Sequence, residues 1–185
     1  MRINALKVSA YLSIFSPLLF VIGLAFVISQ NPWFSFTDNA LSAMGSIHNP
    51  KNYLFNGFIM LFAIFVFIIS LGMFKRFAYL MPLAVMSLFF VGVFPAEYEP
   101  HAPAAILFYI LAFTDIIIVG IKLGRNGLKV GYLWSVLSIV TLFVMCWIIK
   151  AKVFEGLAIP ELIGVSTILA WFSYIGLLAL RGAEK

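Results

Sequence analysis

The side chains that could do chemistry in this sequence are few, and most fall in short polar stretches between long apolar segments. The chain holds seven Asp or Glu residues and two His residues among its 185 positions. Asp38 and Ser42 lie four residues apart in the longest polar stretch, a spacing that places neighbours on one helical face. Glu97, Glu99 and His101 lie together in F-P-A-E-Y-E-P-H-A-P. A histidine near carboxylates and a hydroxyl suits proton transfer in hydrolysis.

These residues predict a polar pocket at one end of the molecule. Asn56 joins the set because it closely follows the longest polar stretch and would face the same end. The catalytic candidates are Asp38, Ser42 and His101, although the sequence contains no G-x-S-x-G nucleophile motif. The competing interpretation is an interfacial segment whose polar side chains meet only water. The predicted binding residues are Asp38, Ser42, Asn56, Glu97, Glu99 and His101.

The same stretches contain residues that could bind a divalent metal such as zinc, because imidazole nitrogen and carboxylate oxygen are ordinary zinc ligands. No H-x-x-x-H or H-E-x-x-H spacing supports such a site, and the single cysteine, Cys146, excludes a ligand pair of thiolates. Ordinary solvated loop residues are therefore the favoured interpretation, and a metal site is the alternative. The candidate ligands are His48, His101, Asp38, Glu97 and Glu99.

Asp115 is the strongest single indicator of function, because it falls inside the apolar run F-Y-I-L-A-F-T-D-I-I-I-V-G. A carboxylate at that depth costs roughly 2.5–3.5 kcal/mol on insertion scales, so it should face the protein interior with a partner. The expected partners are the neighbouring Thr114 or hydroxyls on other segments, such as Ser138 and Thr141. A structural hydrogen bond and a role in moving a proton, an ion or a substrate are both open.

The elements that must position these residues are membrane helices. Hydrophobic residues make up 64% of the chain and charged residues 10%, against about 25% charge in a soluble domain. The mean hydropathy is +1.11. Six continuous apolar runs reach or approach the ~20 residues that a spanning helix needs. We expect one all-α domain over residues 1–185, a six-helix transmembrane bundle with spans at about 8–29, 52–74, 77–94, 102–121, 130–149 and 159–180.

Charge placement predicts the orientation of the bundle. Nine of the twelve Lys and Arg residues fall on one side of the six-span topology and three fall on the other. The positive-inside rule then places both termini in the cytoplasm of a multi-pass protein of the cell membrane. The longest loop, residues 31–51, lies outside. A short interfacial helix should begin near Asp38, capped by Ser35 or Thr37, and end at Gly45.

Three short motifs carry a resemblance to a known family. They are D-N-A-L-S-A-M-G at 38–45, N-Y-L-F-N-G at 52–57 and V-G-V-F-P at 91–95, followed by His101. The pattern resembles domain of unknown function 998, polytopic membrane proteins of archaea and bacteria. The resemblance covers nearly the whole chain and implies a multi-span helical protein, with no established activity. The residues that match its pattern are Asp38, Ser42, Asn56, Pro95 and His101.

The leading functional hypothesis is a membrane protein with an outward-facing polar pocket that binds, and could hydrolyse, a lipid or amphiphile. One alternative is a small ion- or proton-coupled transporter that uses Asp115 and works as an oligomer. A second alternative is an assembly protein without chemistry. The net charge of +5 reflects orientation signals in the loops, so we expect a lipid bilayer and no nucleic acid as partner.

Overall fold

The computed structural model describes residues 5–183 and is entirely helical apart from its connections. Arg2 and Lys185, which contribute to the orientation argument, and Glu184 lie outside the described residues. The described part contains six α-helices and one short 3₁₀ helix. Their bounds are α1 Ala5–Ser29, the 3₁₀ helix Leu41–Gly45, α2 Asn52–Gly72, α3 Met81–Val93, α4 His101–Arg125, α5 Val130–Lys150 and α6 Ala158–Ala183.

The six α-helices form a closed ring. Each helix packs against the next one along the chain, and α6 returns to pack against α1. Side chains that point to the ring axis are buried, including Phe113, Trp171 and Phe172. Side chains on the outer surface are large and apolar, and Leu61 and Phe143 are each 70% exposed. A hydrocarbon environment suits such a surface, and five of the helices are long and apolar enough to cross a membrane.

Small residues set the closest contacts between the helices. At the α4–α5 contact, a Cβ on Gly131 would stand 2.3 Å from the carbonyl oxygen of Gly120, so only glycine fits there. At the α1–α6 contact, the Ser13 hydroxyl donates to the carbonyl oxygen of Phe172 at 2.6 Å. Close backbone approach and interhelical hydroxyl bonds are the main forces between helices in lipid, where burial from water contributes little.

The third helix departs from the six-span expectation. An 18-residue span was expected at 77–94, but α3 has 13 residues, Met81–Val93, or about 20 Å of helix against a hydrocarbon core of ~30 Å. A tight turn occupies the preceding residues. Lys75 adopts a positive φ of 63°, and its N–H donates to the carbonyl oxygen of Ala78 at 2.8 Å. Five helices, rather than six, therefore have the length of a full span.

Asp115 supplies the hydrogen-bond acceptor for the backbone N–H groups that precede α3. Its Oδ1 atom accepts hydrogen bonds from the N–H groups of Tyr79 at 2.6 Å and Leu80 at 2.5 Å. The expected partners were hydroxyls on neighbouring helices, but Thr141 bonds Thr167 instead. The carboxylate is fully buried, and its Oδ2 atom has no protein partner within residues 5–183. A carboxylate beside the N–H groups that lack an intrahelical acceptor at the start of a helix is stabilising.

Replacing Asp115 tests this capping role. Asp115→Ala orphans two backbone N–H groups inside the bundle and should destabilise the protein by about 2–5 kcal/mol. Asp115→Asn keeps one acceptor oxygen and should lose much less. Thermal unfolding of the purified protein in detergent gives the comparison. Equal stability of the Ala variant and the parent would contradict the capping role.

Candidate functional site

The longest connection, residues 31–51, forms a cap over one end of the ring. Its only helix within the described chain is the 3₁₀ helix Leu41–Gly45, which ends at Gly45 as expected but begins three residues after Asp38. Side-chain hydrogen bonds explain the difference. The Asp38 carboxylate accepts from the Ser35 hydroxyl at 2.6 Å, and Asn39 Oδ1 accepts from the N–H of Ser35 at 2.8 Å. Such local bonds compete with helix formation.

Backbone hydrogen bonds join the cap to the α5–α6 connection. The N–H of Gly156 donates to the carbonyl oxygen of Thr37 at 2.7 Å, and the N–H of Ala158 donates to that of Asn39 at 3.0 Å. A Cβ on Gly156 would stand 2.2 Å from the Asn39 oxygen, so glycine permits the approach. These contacts place the start of α6 directly beside the 3₁₀ helix.

Glu97 and Asn56 hold the other end of the cap. The Glu97 carboxylate accepts from the Ser46 hydroxyl and from the N–H of Ile47 at 3.2 Å. The hydrogen bond from Ser46, with further help from the backbone, lowers the pKa of Glu97 below its ordinary value. The Asn56 side chain donates to the carbonyl oxygen of Gly45 at 3.0 Å. The α3–α4 connection and α2 therefore both anchor the cap.

A cavity of about 60 Å³ lies under the cap, inside the ring. Its walls are mainly apolar and come from α1, the 3₁₀ helix, α2, α3, α4 and α6. A few polar side chains converge on it, as in most small-molecule sites. The apolar lining includes Phe20, Leu41, Phe55, Ile59, Leu88, Val91, Ala105, Phe108 and Val165, and the polar lining consists of Ser42, His101, Tyr109 and Glu161.

His101 begins α4 and is 8% exposed. Its Nδ1 atom lies 2.7 Å from the carbonyl oxygen of Phe94. A carbonyl oxygen only accepts, so Nδ1 carries the proton, and in the neutral ring Nε2 is left as an acceptor. Nothing in the described part of the chain hydrogen-bonds to Nε2. The backbone therefore fixes both the tautomer and the orientation of a histidine that lines the cavity.

Glu161 and Ser42 also present unpaired atoms. One Glu161 oxygen, Oε2, accepts from the N–H of Leu41 at 2.7 Å, and the other has no protein partner across residues 5–183. The Ser42 hydroxyl is likewise unpaired in that range, although Ser42 is only 9% exposed. Tyr109 differs, because its hydroxyl donates to the carbonyl oxygen of Glu161 at 3.0 Å. Polar atoms without a protein partner around one mainly apolar cavity are a feature of small-molecule sites.

The six predicted binding residues fall into two groups in the structure, those that line the cavity and those that do not. Ser42 and His101 line the cavity. Asp38, Glu97 and Glu99 are exposed, while Asn56 is occupied by its bond to Gly45. These four lie around the cap and are not among the cavity residues.

The candidate metal ligands do not lie together around one point in the structure. Residues 5–183 contain no group of three or more His, Cys, Asp or Glu side chains that could hold a metal ion. His48 is exposed at the cap surface. At the cavity itself, only His101 and Glu161 are ordinary metal ligands. The arrangement therefore supplies two acceptors and a hydroxyl, and no zinc site of three protein ligands.

Glu161 is the site residue that the sequence analysis missed. It falls near the start of the predicted span 159–180 and lies in the first turn of α6, within the run A-I-P-E-L-I-G. The rule that singled out Asp115 applies equally here, because a carboxylate in an apolar run should face the interior. Tyr109 was missed too, and no sequence signal distinguishes it from the other aromatic residues.

Asp115 is remote from this cavity. It lies 14 residues along α4 from His101 (115 − 101), or about 21 Å at 1.5 Å per residue. Since its carboxylate caps α3, its presence in a membrane segment needs no transport function. The transporter hypothesis stays a prediction without structural support.

Comparisons with known proteins agree with this architecture. The sequence profile of a family described as "Protein of unknown function (DUF998)" matches residues 14–178. The chain belongs to this family. The comparisons with curated proteins and with solved structures return no match. This DUF998 protein is thus a multi-pass helical membrane protein, and an activity must be argued from its own site.

Acidification should loosen the cap of this DUF998 protein through Glu97. Its pKa is lowered from the ordinary 4.5, so the folded state favours the charged form. The stabilisation is complete above pH ~4.5 and is lost as the pH falls through the lowered pKa. In thermal unfolding measured from pH 6 down to pH 3, the midpoint of the parent should fall relative to that of Glu97→Gln. Glu99→Gln, an exposed neighbour, is the matched control, and identical profiles for all three proteins would contradict the role of Glu97.

Proposed function

We propose that the protein binds the polar end of a lipid or amphiphile in the cavity under the cap. The observation that carries the proposal is the convergence of three unpaired polar atoms on one mainly apolar cavity. They are the Ser42 hydroxyl, His101 Nε2 and the free oxygen of Glu161. Each of the three atoms can bond a polar group of a ligand that enters the cavity.

The shape of the interior supports an elongated ligand. A second cavity of about 20 Å³ lies deeper in the ring and is wholly apolar. It shares Leu88, Phe108 and Val165 with the cavity under the cap. The two spaces therefore adjoin along the ring axis, with polar groups at one end only. This polarity matches the head of an amphiphile under the cap, with room along the axis for the first one or two carbons of its chain at about 10–15 Å³ per water-sized group.

The polar atoms also favour a class of headgroup. His101 Nε2 and the free Glu161 oxygen both accept hydrogen bonds, and Ser42 can donate or accept. A headgroup that carries hydroxyl or amine donors would satisfy them, whereas a phosphate would meet a carboxylate. The cavity of about 60 Å³ holds a few water-sized groups at 10–15 Å³ each. We therefore expect a small, uncharged or cationic headgroup.

Hydrolysis of an ester-bearing amphiphile is the second candidate function. The observation that favours it is the tautomer of His101, since the bond from Nδ1 to the Phe94 carbonyl leaves Nε2 as a base inside the cavity. Nε2 could take a proton from the Ser42 hydroxyl or from a water as either attacks an ester carbonyl. Glu161 would stabilise the imidazolium that forms.

Binding of a monoacylglycerol tests the leading proposal, because this probe combines hydroxyl donors, an ester and one acyl chain. His101→Ala should weaken binding by about tenfold, as expected for loss of one hydrogen bond in a dry site. Ala105→Leu should fill the cavity and reduce binding without unfolding the protein. Equilibrium dialysis of radiolabelled probe against the protein in detergent measures both effects.

His48→Ala is the matched control, because it removes the other histidine from an exposed position outside the cavity. It should bind the probe as the parent does. Equal losses in the two histidine variants, or no binding by the parent, would contradict the proposal.

Release of fatty acid from the same probe separates hydrolysis from binding alone. If the protein is a hydrolase, His101→Ala should abolish release, and Ser42→Ala should abolish it only if serine is the nucleophile. Retained release in Ser42→Ala, with loss in His101→Ala, would assign the attack to water. Binding without release by the parent would leave a binding protein and reject the hydrolase.

A further inference from the structure

The opposite end of the ring carries a second, chemically different site. A cleft of about 600 Å³ opens there between the α2–α3 turn, the end of α4 and the end of α6. Three cationic side chains line it: Arg76 from the turn, Lys122 from α4 and Arg181 from α6. The described lining contains no carboxylate. This cleft is separate from the cavity under the cap and shares no residue with it.

Two of the three cations contact other parts of the protein. The Arg76 guanidinium lies over the Phe77 ring, 5.3 Å from its centroid. It also reaches the last turn of α6, because a Cβ on Gly182 would stand 3.0 Å from Arg76 Nη2. The Lys122 ammonium donates to the Tyr79 hydroxyl and to the carbonyl oxygen of Lys75. Like charges fixed around one cleft repel, and a bound anion relieves that repulsion.

Apart from the cations and Asn126, the cleft lining is apolar. Phe77 and Leu123 are buried beside the cations, and Leu178 completes the wall. A soluble anion makes no favourable contact with apolar side chains. A phospholipid carries acyl chains next to its phosphate, and these chains can pack against the apolar wall. Basic pockets between membrane helices bind the headgroups of anionic lipids, and arginine pairs well with phosphate oxygens.

We propose that this cleft binds the phosphate of an anionic phospholipid, with Arg76, Lys122 and Arg181 around the headgroup and the acyl chains along the apolar wall. The site is independent of the function proposed for the cavity under the cap. It selects for net negative headgroups, because a zwitterionic headgroup brings its own cation into a cleft that already holds three.

The test is a titration of the full-length protein, purified in detergent, with dioleoyl-phosphatidylglycerol, counting bound lipid by native mass spectrometry. Arg76→Gln and Arg181→Gln should each weaken binding about fivefold. Both side chains are exposed, so the variants should fold, and elution from gel filtration checks this. Lys122 is left unchanged because it also holds the α2–α3 turn. Arg181→Lys keeps the charge and should recover most of the binding.

Lys129→Gln is the matched control, since it removes an exposed cation that precedes α5 and is outside the cleft lining. It should bind phosphatidylglycerol as the parent does. A loss equal to that of Arg181→Gln would show general surface charge and overturn the proposal. Equal binding of dioleoyl-phosphatidylcholine would overturn the selectivity for net negative headgroups.

Glycerol phosphate separates a lipid from a free phosphate ligand. This soluble compound offers the phosphate without acyl chains, so it should compete only at much higher concentrations than phosphatidylglycerol. Competition at comparable concentrations would show that the cleft takes a small soluble phosphate and would overturn the assignment to a lipid.

Discussion

The backbone N–H groups of non-helical segments inside an apolar bundle need acceptors, and this need governs most of the structure. In hydrocarbon, an unpaired peptide group costs several kcal/mol, so each break in a helix requires a partner from elsewhere. The chain meets the need with carboxylates. Asp115 accepts from two N–H groups before α3, and Glu161 accepts from the first residue of the 3₁₀ helix.

The same bonds position the candidate site. Glu161 uses one oxygen to hold the cap and leaves the other at the cavity. His101 uses Nδ1 to bond the backbone before α4 and leaves Nε2 there. Fixing one atom of each side chain orients the other, which is how binding groups are preorganised. The cap is therefore both the cover of the cavity and the element that sets its polar geometry.

Apolar runs were sufficient to predict helices, because in lipid each segment must pair its own backbone N–H and C=O groups. They could not predict that α3 is short. Hydropathy continues unbroken from Phe77, and the bond that allows a helix to start at Met81 comes from Asp115, 35 residues beyond Leu80. Likewise Ser42 and Glu161 meet at the cavity although they are 119 residues apart (161 − 42). Such long-range contacts form only when the helices close into a ring, and a single sequence does not predict how they do so.

The two ends of the ring differ in charge and in closure. Under the cap, acceptors and one hydroxyl face a small cavity, while the other end has cations around a larger cleft. A ligand should fill the cavity under the cap. An experimental structure of the protein purified from native-like lipid tests this. Non-protein density should contact His101 Nε2 and extend toward Phe108. A cavity closed by repacked side chains, with His101 and Glu161 bonded to protein partners, would contradict this prediction.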